Sequence, residues 1–268
     1  MAFDDDTALR SLGDGVFEGE IRETWWTARG PLGGYVMAIV MRALQDVVGD
    51  DERQPRSLTV HFLRPPEAGA VTVRARVERA GRSLTSASAR LEQEGKPLAL
   101  ALAAFSTPWE GPLLSELEMP EVAAPAPEEA DVRTLPGARR PPFLDLLAMH
   151  GRFGPPAFSR ADRAEVGGWL GLREERPVDA LAVTLLADAW FPAPWTRLRA
   201  LAPAPTIDMT VHFRAPLPLP DGGAPLLGRF RSRLVRDGFF EEDGELWAPD
   251  GTLVAQSRQL GLLIGAQA

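Results

Sequence analysis

The chain of 268 residues is 45% hydrophobic and 25% charged, with 25 Gly and 25 Pro that follow no collagen-like period, which excludes a disordered or fibrous chain and favours many strands and turns. It contains no cysteine, so disulfides, thiolate nucleophiles and Cys-ligated metals are excluded, and its three histidines lack any helical i, i+4 spacing. The net charge is −8, with seven acids and no base in the stretch 107–132, and this argues against nucleic acid or an anionic membrane as a partner.

In chain order, the acidic N-terminal residues do not read as a signal peptide, no apolar run reaches the roughly 18 residues of a membrane span, and a cytoplasmic protein is expected. A short strand is expected at Val16–Ile21, followed by a helix over 32–48 that is apolar on nearly every side through its first three turns, as in a helix enclosed by a sheet. Gly33 and Gly34 stand at its start. The adjacent Trp25 and Trp26 read as core or pocket wall. After Leu58-Thr-Val-His-Phe-Leu-Arg-Pro65, residues Val71, Val73, Ala75 and Val77 alternate with polar neighbours, the period of a half-buried strand. Two further strands end at 97–106. Residues 108–142 hold eight of the 25 prolines and most of the acidic run, and read as a surface linker.

Beyond the linker the pattern returns. A strand over 165–173 precedes a helix expected over 177–190, with Pro177 at its first position and Asp179 in its first turn. Then Met209-Thr-Val-His-Phe-Arg-Ala-Pro216 repeats the earlier strand, His61 falling on His212 at an offset of 151. Alternating strands follow, the last over 252–264. Each half is thus a strand, a buried helix and about four antiparallel strands, and self-similarity of this kind decides architecture before any motif does. The divisions are 1–107, the linker 108–142, and 143–268.

Three segments of the second half carry a resemblance. Thr206-Ile-Asp-Met-Thr-Val-His-Phe-Arg-Ala-Pro216, Gly251-Thr-Leu-Val-Ala-Gln-Ser-Arg-Gln-Leu-Gly261 and Leu185-Leu-Ala-Asp-Ala-Trp190 resemble, in order and spacing, the catalytic strands and helix of the acyl-CoA thioesterase II family. The resemblance implies an α+β double hotdog, two tandem repeats each of a long buried helix wrapped by an antiparallel β-sheet. It also implies a catalytic group of Asp188, Thr206 and Gln259, an acyl-CoA substrate, no cofactor or metal, and either a monomer or a homo-oligomer. Met209 departs from the pattern, which often has His at that place.

The residues themselves leave some alternatives open. Alone, Asp188 also reads as a helix-end surface residue, and Thr206 as a strand-start threonine. Gln259 is more informative, because aligning 250–253 with 95–98 places Ala104 opposite it, while strand alternation sets it on the face of Leu253 and Ala255. A buried amide needs a hydrogen-bond partner. His61 and His212 are explained by duplication, and His150 has no partner signal. The N–H groups of Gly33, Gly34 and Tyr35 are candidate oxyanion donors at a helix N-terminus.

Hydrolysis of a thioester needs an oriented water, a base and oxyanion donors. The resemblance implies that Asp188 is the base or water orienter, with Thr206 and Gln259 holding the same water. No covalent intermediate is required, consistent with the absence of cysteine and of a Gly-x-Ser-x-Gly elbow. A hotdog dehydratase or hydratase would need a helix histidine, which neither helix segment has. A non-catalytic acyl or acyl-CoA binding protein remains the alternative.

Overall fold

The computed structural model describes residues 2–126, 128, 129, 131 and 140–266. The chain begins with a short helix α1 (Ala2–Asp6), then β1 (Arg10–Gly13), β2 (Val16–Ile21), α2 (Gly33–Val48), β3 (Gln54–Phe62), β4 (Gly69–Ala80), β5 (Leu84–Gln93) and β6 (Lys96–Ser106). After the proline-rich segment come β7 (Leu147–Phe153), β8 (Ala164–Leu172), α3 (Ala180–Leu186), β9 (Thr206–Phe213), β10 (Leu226–Ser232), β11 (Val235–Arg236), β12 (Phe239–Trp247) and β13 (Leu253–Leu262). Tight turns set the hairpins. Asp14-Gly15, Glu94-Gly95 and Asp237-Gly238 each place two consecutive residues at positive φ, the conformation that matches strand twist in two-residue hairpins.

All the strands belong to one antiparallel sheet with the order β1-β2-β4-β5-β6-β3-β9-β13-β12-β10-β8-β7, β11 adding to β12. The first half reads β2-β4-β5-β6-β3 and the second, outward from the join, β9-β13-β12-β10-β8, so the repeat legible in the sequence is a repeat of topology. The halves join where β3 meets β9. There Thr59 pairs with Thr210 and their hydroxyls lie 2.9 Å apart, so equivalent residues of the two copies face each other across the join.

Helix α2 is interior. From Gly34 to Met41 every residue is buried, and the helix packs against β2, β4, β5 and α3, which accounts for apolar residues on nearly all its sides. It ends at Gly49, whose left-handed backbone lets its N–H close on the carbonyl of Gln45. The second helix corrects the expectation. It spans only the seven residues Ala180–Leu186, not 177–190, because Asp179 is its N-cap, accepting from the N–H of Ala182. Only the first half therefore has a long helix.

The acidic segment is fastened at several points rather than merely crossing the surface. Arg152 holds Glu129 at 2.6 and 2.8 Å, Arg173 holds Asp131, and the indole of Trp169 donates to the carbonyl of Ala123 at 2.8 Å. Met119 and Val122 pack on Trp169, Leu227 and Trp247. Part of the segment expected as a linker, residues 127, 130 and 132–139, lies outside the described residues.

The join between the halves is also a core layer, since Leu58, Val60, Met209 and Val211 are all buried on its inner face. Met209→Ala is expected to lower unfolding stability by about 2–4 kcal/mol, measured by urea denaturation followed by tryptophan fluorescence. A change below about 0.5 kcal/mol would contradict the burial of this position.

Candidate active site

A helix leaves its first N–H groups without intrahelical acceptors, and their partial positive charge favours an anion. At α2 the anion comes from the other half. Asp188, in the turn that follows α3, accepts from the N–H of Gly34 at 2.7 Å, and the N–H of Gly33 also bonds its carboxylate. The turn itself is closed by the Asp188 N–H on the carbonyl of Leu185 at 3.2 Å. Glycine is required here by contact. A Cβ at Gly34 would lie 2.6 Å from the Leu185 carbonyl oxygen, and one at Gly33 would lie 2.9 Å from the Asp188 carboxylate. Burial pushes the Asp188 carboxyl up to about 6, against the opposing effect of the Gly34 and Gly33 N–H groups.

The other two expected residues meet directly. Thr206 at the start of β9 donates its hydroxyl proton to Oε1 of Gln259 on β13, at 2.7 Å. Gln259 is buried on the inner face, as its alternation with Ala255 predicts. Its counterpart in the first half is Ala103, however, and not Ala104. The register pairs Leu58 with Ala103 and Met209 with Gln259, and Leu58 and Met209 are equivalent positions of the repeat. The turn before β13 is longer than the Glu94-Gly95 hairpin, and aligning the two turns displaces the comparison by one residue.

Sequence reasoning missed a fourth residue, Glu242. It lies opposite Gln259 in the β12–β13 register, only 4% exposed. Its Oε1 accepts from Nε2 of Gln259 at 2.8 Å and its Oε2 from the N–H of Ala193 at 2.6 Å. Burial, with the charges of Asp188 and Glu241 adding to it, raises its carboxyl to about 7, while the Ala193 and Gln259 bonds oppose the shift. A signal for it exists in the sequence. Phe240, Gly244 and Leu246 share its parity on β12 and are buried, so alternation points Glu242 inward.

The N–H groups expected to await an oxyanion are engaged in this arrangement: those of Gly33 and Gly34 by Asp188, and that of Tyr35 by the Leu32 carbonyl at 3.1 Å. The Tyr35 ring is buried against Trp25, and its hydroxyl donates to the Asp6 carbonyl at 2.8 Å. His61 and His212 are exposed on the outer face of the β3–β9 join. His150 lies 3.6 Å from Asp131, and among the described residues no group of three metal-ligating side chains occurs. A surface cavity of about 340 Å³ lies between Val178, Pro216, Leu219 and Pro249, and none of Asp188, Thr206, Gln259 or Glu242 lines it.

Comparison with known proteins bears on this arrangement. Residues 22–106 match the acyl-CoA thioesterase N-terminal domain family and residues 120–263 the acyl-CoA thioesterase C-terminal domain family. The chain belongs to the acyl-CoA thioesterase family. A hot dog fold protein of unknown function from Alicyclobacillus acidocaldarius is 29% identical, with a TM-score of 0.88 over 100% of this chain and 98% of that one. A putative thioesterase II from Thermobifida fusca is 27% identical, with a TM-score of 0.75 over 97% of each chain. An uncharacterized protein of Mycobacterium tuberculosis strain H37Rv is 28% identical over 92% of this chain and 91% of its own length.

The two raised carboxyls set a pH dependence of stability. Each binds its proton more tightly folded than unfolded, so unfolding stability falls as pH rises from about 3.8 to about 6 for Asp188 and from about 4.5 to about 7 for Glu242. Asp188→Asn and Glu242→Gln should each flatten this fall, raising stability relative to the native protein more at pH ~8 than at pH ~5 in urea titrations. An equal offset at both pH values would contradict the shifts.

Proposed function

We propose that the chain is a double hotdog thioesterase that hydrolyses acyl-CoA to the free acid and CoA by direct attack of water. The divisions 1–107, 108–142 and 143–268 belong to this reading. The observation that carries it is the hydrogen bond between Thr206 and Gln259, linked through Glu242 to the charge of Asp188, a carboxylate whose raised pKa suits a base working near neutrality.

In the proposed reaction the Asp188 carboxylate takes a proton from a water that Thr206 and Gln259 help to hold. The water oxygen bonds to the thioester carbon, and the carbonyl electrons move onto oxygen. Collapse of that tetrahedral species breaks the carbon–sulfur bond, and the proton held by Asp188 goes to the CoA sulfur. Gly33 and Gly34 orient the base through their N–H groups, which leaves its other carboxylate oxygen to face the water. The match to the acyl-CoA thioesterase family supports an acyl-CoA substrate.

The test is thiol release from acyl-CoA esters of short to long chain. Asp188→Asn should lower kcat by about 100-fold or more while leaving the fold intact. Undiminished hydrolysis would remove Asp188 from the mechanism. Acyl-CoA binding without release of thiol from any ester would make the chain a binding protein.

A further inference from the structure

Resting on the thioesterase reading, we propose that Glu242 is a positioning residue that fixes which way round the Gln259 amide faces and so makes Thr206 an acceptor, not a donor, toward the attacking water.

The Ala193 N–H can only donate, so Oε2 of Glu242 always accepts. As a carboxylate, Glu242 offers only lone pairs at Oε1, which draws the Gln259 NH₂ toward it at 2.8 Å and turns the Gln259 oxygen to Thr206. Thr206 has one proton and gives it to that oxygen at 2.7 Å. Its lone pairs are what remain for a ligand. Asp188 also accepts, so a water between Thr206 and Asp188 donates both hydrogens and keeps a lone pair for the thioester carbon.

Protonated Glu242 reverses this polarity. With Oε2 held by Ala193, the proton sits on Oε1 and donates to the Gln259 oxygen, the amide turns over, and its NH₂ faces Thr206. The Thr206 proton is then released toward the site, and the water loses an acceptor. Among the described residues, the charges acting on Glu242 are Asp188 across the site and Glu241 beside it, both acidic. The nearby Arg258 is engaged by Glu241 at 3.7 Å and Asp243 at 3.2 Å, not by Glu242. The raised Glu242 carboxyl places the reversal in the neutral range.

The fold does not require this pair. At the equivalent crossing of the first half, Ala87 pairs with Ala103, both buried, where the second half has Glu242 and Gln259. Two alanines complete the same sheet there.

Glu242→Gln tests the proposal because its shape is kept. The new amide oxygen must face the Ala193 N–H, so its NH₂ faces Gln259 and locks the reversed polarity. The expected result is kcat lower by about 10- to 100-fold, KM within about twofold, and an acid limb of kcat displaced to lower pH. In E242Q/Q259E a carboxylate at position 259 accepts from both Thr206 and the amide introduced at position 242, and kcat should recover by about tenfold over E242Q.

A readout without turnover is the side-chain ¹⁵N resonance of Gln259, identified by its loss in Gln259→Glu. It should shift between pH ~5.5 and ~8 in the native protein and not in E242Q. Native kcat and pH profile in E242Q, a kcat loss with neither rescue nor displaced acid limb, or a pH-independent Gln259 resonance in the native protein would overturn the proposal. If the native protein releases no thiol from any ester, the hydrolytic reading fails, and the resonance still decides the orientation.

Discussion

The carboxylate of Asp188 on the first N–H groups of α2 is the contact on which the arrangement of the site depends. It joins residues 154 apart in sequence and requires the end of α3 to approach the start of α2 so closely that neither Gly33 nor Gly34 can carry a side chain. Three consequences come from one geometry. The approach encloses the carboxylate and raises its pKa, the two N–H groups limit that rise, and the carboxylate is held on rigid backbone, not on a mobile side-chain partner. The carboxylate comes from the second half of the chain and its cradle from the first, so this candidate site exists only when the two are assembled.

That assembly is symmetric in backbone and asymmetric in chemistry. The β3–β9 join sets Thr59 against Thr210, and the strand order is the same outward from it on both sides. Yet the positions of Thr206, Gln259 and Glu242 are taken in the first half by Pro55, Ala103 and Ala87. Burying an amide and a carboxyl costs free energy unless each is hydrogen-bonded, and in the second half each is. Alanines carry no such demand. The duplication therefore supplies two equivalent crossings of which one is polar and connected and the other is ordinary core.

Much of this is legible along the chain. The all-round apolar character of α2, the alternation of β4, the Thr-Val-His-Phe repeat and the inward parity of Gln259 all follow from periodicity, which local backbone geometry imposes directly. The failures have equally local causes. The expected helix around α3 is too long because Pro177 suits a first helical position, whereas the Asp179 side chain caps the helix two residues later. Ala104 falls opposite Gln259 only when the turns are aligned in place of the strands, and turn length is free to differ where register is not. Glu242 belongs to no motif, and only its parity with Phe240 and Leu246 marks it as buried.

What the sequence by itself determined was the duplication, the α+β character, the family resemblance and the candidate residues, because these rest on spacing along the chain. What only the tertiary structure decided was which groups meet: Asp188 with Gly34, Gln259 with Glu242, Glu242 with Ala193. These pairs are separated by 154, 17 and 49 residues. Which of them come together, and how each group's proton affinity shifts in consequence, depends on strand register and helix approach, and on the loss of water when those surfaces close.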